Sequence, residues 1–248
     1  MHKYSNTHVR SKQRGISLFV VVVLVMLSML LALWGSRTAF FNEMIVGNDA
    51  DYQRAFEAAQ ALMQDAEFDI RNERPDGSAC VPGATADTCR PVGSLVWFPV
   101  ADGEGEFEKV LDELATHSTT GFCYKGICRK RTGNQDFWND KATLDAMLPA
   151  GARYHEFTNA EIGTTGSTGS NPILKTTTPG EGGWYWIEIL PYLPKEKQNS
   201  KLVTNGNKSL ELNLVPNFAY RITAVARGLK PSTQVVLQST FVRQKVAD

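Results

Sequence analysis

Ile16–Trp34 is an uninterrupted apolar run in which Ser17 and Ser28 are the only polar side chains and no charge occurs. At 1.5 Å per residue its 19 residues make a helix of about 28 Å, close to the ~30 Å of bilayer hydrocarbon. The pattern predicts a transmembrane helix over 16–34. Farther on, the spacing changes but stays helical. Tyr52, Ala55, Phe56, Ala59, Leu62, Met63 and Ala66 recur at steps of three and four, and Gln53, Arg54, Glu57, Gln60, Gln64, Asp65 and Glu67 fall between them. Together these stretches predict one long helical region over 16–74, ended by Pro75-Asp76-Gly77. Gly47-Asn48-Asp49 is its weak point. A glycine inside a helix costs about 1 kcal/mol relative to alanine, and Asn48 or Asp49 suits the cap of a fresh helix. Either a local loosening or a break into two helices is expected there.

The remainder, 75–248, carries a period of two in places. Trp184–Leu190 is rich in aromatic and β-branched residues and predicts a strand. In Phe218–Arg227, Tyr220, Ile222, Ala224 and Ala226 share one face and Arg221, Thr223 and Arg227 the other, with Val225 breaking the contrast. Gln234–Arg243 alternates in the same way, and Gly228–Thr233 contains the Gly and Pro of a hairpin connection. Leu95–Pro99 is a further short strand candidate, and Phe107–Leu114 and Asp140–Met147 are short helix candidates. An antiparallel sheet of this kind needs a cover for its apolar face, and the amphipathic stretch 52–66 can supply it. The expected class is α+β, with a long N-terminal helix packed against an antiparallel sheet and loops stapled by disulfides.

Charge sets the orientation. Lys3, Arg10, Lys12 and Arg14 lie in 1–15 with no acidic residue, whereas Arg37, Glu43, Asp49 and Asp51 are mixed. The positive-inside tendency keeps such an N-terminus in the cytoplasm and exports the chain beyond Trp34. The chain has 26 basic and 26 acidic residues; without the four basic ones of 1–15 the balance is 22 to 26, a net charge of −4. That balance argues against nucleic acid as a partner. No small-residue cleavage site closes the apolar run, since Leu33-Trp34-Gly35-Ser36 is bulky where a signal peptidase needs small residues.

Four cysteines, Cys80, Cys89, Cys123 and Cys128, suit an oxidising compartment. They allow three pairings; the nearest-neighbour choice is Cys80–Cys89 with Cys123–Cys128. The rival is a four-cysteine metal site, whose pairs are normally separated by two to four residues. No catalytic constellation stands out. Of the four histidines, His2 and His8 precede the apolar run, and His117 and His155 have no partner at metal-ligand spacing. Gly163–Gly169 lacks the Gly-Lys-[Ser/Thr] of a phosphate loop. Asp102, Glu104, Glu106 and Glu108 lack the calcium-loop pattern and predict a solvated stretch. Lys125, Arg129, Lys130 and Arg131 form a basic cluster, either a solvated loop or a contact for an acidic partner. No cofactor, metal or small-molecule substrate is expected.

Lys12-Gln13-Arg14-Gly15, leading into Ile16-Ser17-Leu18-Phe19-Val20, resembles the type III signal of type IV prepilins and pseudopilins. Asn42-Glu43-Met44-Ile45-Val46-Gly47-Asn48 and Ala55-Phe56-Glu57-Ala58-Ala59-Gln60-Ala61-Leu62 are similar to segments of the PilX group of minor pilins. Tyr220–Ala224 and Thr233–Thr240 resemble that group's closing strands. The resemblance implies a pilin-like fold, with 1–15 a leader, 16–74 the long helix and 75–248 a periplasmic domain. It also implies processing by prepilin peptidase after Gly15 and N-methylation of Ile16. Pilins generally place a Glu at the fifth mature position; Val20 stands there, which removes one assembly contact. The implied role is a structural one in priming type IV pilus assembly near the filament tip, supporting adhesion and twitching motility. Implied partners are other minor pilins, the major pilin, the inner-membrane assembly platform, prepilin peptidase and a large tip adhesin. The implied location is the inner membrane, then the pilus. Two alternatives stay open: a type II secretion pseudopilin, and a membrane-anchored periplasmic binding or enzymatic module.

Overall fold

The computed structural model describes residues 16–80, 89–90, 95–99, 104–117, 123–162, 171–191 and 218–243. The chain divides into two units, Met1–Asp49 and Ala50–Asp248. Helix α1 is Ile16–Arg71. It runs without interruption through Gly47-Asn48-Asp49, so of the two expectations there the break into two helices is corrected. One glycine's penalty of about 1 kcal/mol is small against the cooperative gain of propagating a helix already nucleated on both sides. Two hydroxyls within the first unit bond back to the helix itself: Ser28 Oγ donates to the Val25 carbonyl at 2.8 Å and Thr38 Oγ1 to that of Trp34 at 3.0 Å.

α1 ends at Arg71, before Pro75, and so falls short of the expected 74. Asn72 adopts the left-handed conformation (φ 55°). Its N–H donates to Asp69 O and that of Glu73 to Phe68 O, both at 3.0 Å, which is the Schellman pattern with Asn at C′. Arg243, at the far end of the sequence, donates to the carbonyls of Ile70 and Arg71 in the last turn at 3.2 and 3.0 Å.

In the second unit, α2 (Glu104–His117) precedes β1 (Cys123–Tyr124) and β2 (Ile127–Arg129); α3 (Lys141–Met147), β3 (Gly183–Pro191), β4 (Phe218–Arg227) and β5 (Gln234–Phe241) come next. The sheet order is β1-β2-β3-β4-β5. The expectation of a purely antiparallel sheet is corrected: β2 pairs with β3 in parallel, and the other neighbours are antiparallel. A parallel pair needs a long crossover, and residues 130–182, containing α3, supply it. The β1–β2 turn has Lys125 (φ 47°) and Gly126 (φ 78°) at its centre, the two positive dihedrals of a tight hairpin. A Cβ on Gly126 would also lie 2.5 Å from that of Ala152.

Each face of the sheet buries a core. On one side Tyr185, Ile187, Ile189, Tyr220, Ile222, Ala224 and Ala226 pack with Ala55, Ala59, Leu62, Ala66 and Ile70 of α1. On the other, Trp184, Trp186 and Val225 pack with Phe137, Leu144, Met147 and the Cys123–Cys128 bridge. The second cover explains why Val225 broke the alternation: its face is not wet, and it is wholly buried. Leu95–Pro99 forms no strand; it is a bend that delivers Phe98 edge-on to Tyr220, with ring centroids 5.6 Å apart. α2 extends beyond the expected Phe107–Leu114, and Val110 and Leu114 join the first core. α3 begins where Asp140 accepts the Thr143 N–H at 2.8 Å as its N-cap.

Candidate functional site

The first unit presents an unshielded apolar helix. Every large side chain from Leu18 to Trp34 is exposed, as are Phe40, Phe41, Met44, Ile45 and Val46. Among the described residues, α1 is the one helix long and apolar enough to cross a membrane. At roughly 25 cal/mol per Å² of apolar area, such a surface is untenable in water and requires lipid or other apolar helices. Ile16 is the first residue of this helix and Val20 lies one turn on, both with exposed side chains. Gly15 and the leader lie outside the described residues.

In the second unit the same helix is fastened to the domain by buried carboxylates. The buried face of α1 comprises Asp51, Ala55, Ala58, Ala59, Leu62, Asp65, Ala66, Asp69 and Ile70. Tyr52, assigned to the apolar stripe by pattern, is exposed, and Asp65, assigned to the polar face, is buried. Each aspartate grips a different part of the domain. Asp51 accepts the N–H groups of Leu229 and Lys230, at 2.9 and 3.1 Å, in the β4–β5 connection. Asp65 accepts the His155 N–H at 2.8 Å and the Thr158 hydroxyl. Asp69 receives Arg90 Nε at 2.7 Å and Nη2 at 2.6 Å, together with the Tyr185 hydroxyl at 3.0 Å. The stacked spacing 51, 55, 58, 62, 65, 69 was visible in sequence; polarity alone hid its aspartates.

Their electrostatics differ. Burial opposes charge on Asp51, but hydrogen bonds from Thr233, Lys230 and Leu229 outweigh it and lower its pKa. Burial pushes Asp65 up to about 7 against the pull of Thr158 and His155, with Asp69 nearby adding to the rise. Burial also raises Asp69, opposed by Arg90 and Tyr185, and pushes the Tyr185 hydroxyl well up. Glu188 is a fourth buried carboxylate, held by Arg221 Nε at 2.6 Å and the Arg131 N–H at 2.8 Å.

Disulfides join Cys80 to Cys89 and Cys123 to Cys128. The second bridges directly opposed residues of the β1–β2 hairpin. The basic cluster is partly structural: the Arg131 guanidinium lies 4.8 Å from the Phe137 ring and Lys125 Nζ 5.5 Å from that of Tyr124, while Lys130 is exposed. His117 pairs with Glu113 at 2.9 Å, one turn earlier on α2. Asp102 and Gly163–Gly169 lie outside the described residues. Among the described residues no three His, Cys, Asp or Glu side chains assemble as a metal set. A groove of about 630 Å³ flanks the β4–β5 connection; of the cations lining it, Arg227 is held by Asp145 and the Gly180 carbonyl, both at 2.7 Å.

The second unit is a sheet covered on one face by the amphipathic half of α1. No curated protein and no solved structure matches the chain. Residues 124–243, from the disulfide hairpin through β5 to the arginine that caps α1, match the family described as Type IV pilus assembly protein PilX C-term. Over this stretch the chain is similar to the C-terminal domain of the PilX group of type IV pilus assembly proteins.

Proposed function

We propose that the protein is a minor pilin that helps to prime type IV pilus assembly from the inner membrane and takes a place near the filament tip. The observation that carries this reading is the bare apolar surface from Ile16 to Val46 on the same continuous helix that carries the PilX-type sheet. A helix of this kind is stable in lipid, and equally so among other apolar helices, so it can exchange one surrounding for the other without passing through water. The N-terminus is cytoplasmic and the domain periplasmic, as the basic leader favours. Prepilin peptidase cuts after Gly15, and Ile16 becomes the N-methylated first residue. Val20 leaves the fifth mature position without a carboxylate, which suits a subunit of low copy number better than the bulk filament subunit. The partners are other minor pilins, the major pilin, the assembly platform and a tip adhesin, and the outcome is surface attachment and twitching motility.

N-terminal sequencing and intact mass of the membrane form test the reading. The expected product starts at N-methylated Ile16; an intact Met1 overturns it. Gly15→Phe should leave the protein membrane-bound and unprocessed, with surface pili reduced several-fold. Normal processing and normal piliation in that variant would count against the proposal.

A further inference from the structure

The Cys80–Cys89 bridge stands at the end of the docked helix, and its neighbour in sequence is the cation that the helix depends on. Cys80 is fixed to the α1 cap, its N–H donating to the Asn72 carbonyl at 2.8 Å. Glu73 and Ala79 form a backbone bridge beside it. Cys89 is tied to Cys80 with the Cα atoms 5.6 Å apart, and the next residue is Arg90. The Arg90 guanidinium forks onto Asp69 at 2.6 and 2.7 Å, with both side chains nearly inaccessible. The same guanidinium lies 3.8 Å from the centroid of Phe157 and 5.5 Å from that of Phe98. Asp65 lies one turn away on the same buried face, where Asp69 adds to the rise of its pKa.

We infer that the Cys80–Cys89 disulfide is a positioning device, which presents Arg90 to buried Asp69 and so makes docking of the distal half of α1 depend on oxidation. A buried ion pair is strongly destabilised when one partner is withdrawn, because the other charge is left in a low dielectric without compensation. With the bridge absent, Arg90 is no longer tethered beside the helix end and is free to hydrate. Asp69 then faces Tyr185 and Asp65 alone, and the helix loses its grip at 62–71. Forming the bridge removes two electrons and two protons from the Cys80 and Cys89 thiols. An external protein disulfide accepts them by thiol–disulfide exchange and is released as a dithiol. Helix docking is thereby completed where such oxidants operate, outside the reducing cytoplasm.

A disulfide also acts on the unfolded chain by restricting it, and that contribution is the same whatever occupies positions 69 and 90. A cycle on the full chain in detergent micelles separates the two. Asp69→Asn with Arg90→Met removes both charges together: the new amide still accepts the Tyr185 hydroxyl, and the methionine fills the slot between the rings. The Tm loss from Cys80→Ser with Cys89→Ser is compared in this neutral background and in the native one, alongside hydrogen exchange at 62–71. The expected result is that the loss in the neutral background is less than half of the native loss, and that exchange at 62–71 rises only with the ion pair present. Equal Tm losses in both backgrounds, with exchange at 62–71 unchanged, overturn the inference. If the serine variant fails to fold in the native background, folding of the combined variant supports the inference and its failure overturns it.

Discussion

Asp65 is a carboxylate on the buried face of α1, and its neighbours decide what that does. It accepts one backbone N–H and one hydroxyl, yet burial lifts its pKa to about 7. The folded pKa lies above the unfolded value of 3.8, so linkage gives the sign. Below about pH 4 the group is protonated in both states and its contribution is fully present. As the pH rises towards about 7, the unfolded chain sheds its proton first and stability falls. Asp65→Asn keeps an oxygen for the His155 N–H and turns its amide towards Thr158 Oγ1, which also serves as an acceptor for the Ala160 N–H. The variant is expected to be more stable than the native chain above pH 7 and to show a shallower decline between about pH 4 and about pH 7. Asp69, also raised, keeps some slope in that window. Thermal unfolding of both chains across that range is the measurement. A loss of equal size at every pH would mean that Asp65 serves as a charged acceptor throughout.

At the scale of elements, the spacing between α1 and the sheet is set by small residues. Ala55, Ala58, Ala59 and Ala66 are wholly buried, and a Cβ on Gly183 would meet Leu62 Cδ1 at 2.5 Å and the Val225 carbonyl at 3.4 Å. Gly183→Ala is therefore an overpacking change, expected to cost about 1–3 kcal/mol. Leu62→Ala alone opens a cavity at about 2–5 kcal/mol. The two together should cost clearly less than their sum, because the new methyl enters the vacated space. Chemical denaturation of the four chains of this cycle measures the coupling, and simple additivity would show that the helix does not rest on Gly183. The sequence disclosed this packing only in part. The steps of three and four in Ala55, Ala59, Leu62 and Ala66, and the alternation in β4, are periodic and local, so they could be read directly. Asp51, Asp65 and Asp69 obey the same period but are polar, and their partners at 229–230, 155–158 and 90 are remote in sequence. The parallel β2–β3 pair was hidden for a related reason: three residues of β2 carry too little pattern, and only the long crossover reveals their direction.

On the scale of the whole molecule, two kinds of surface share one helix, and the sequence separates them plainly. From Ile16 to Trp34 polarity is absent on every side, so no choice of face is needed and composition alone identifies the element. Past Ala50 one face is buried by the domain and the other is wet, and periodicity takes over as the signal. The match at 124–243 covers the sheet but not the apolar run, so the run's role rests on physics and is best tested by charge. Leu27 lies midway along the run and is exposed. Leu27→Arg places a guanidinium near the bilayer centre, at about 2.5–3.5 kcal/mol on translocon scales. Phe40→Arg adds the same charge beyond the span, where the side chain can snorkel to the headgroups at much lower cost. Leu27→Arg is expected to leave a several-fold smaller share of the chain in the carbonate-resistant membrane pellet, with Phe40→Arg close to the native share. Both should unfold at the native temperature in detergent, since neither residue belongs to the unit Ala50–Asp248. Equal retention of the two variants would mean that the helix is sheltered by protein rather than by lipid before assembly. A lower unfolding temperature for Leu27→Arg would mean that the domain draws on the apolar run for its own stability.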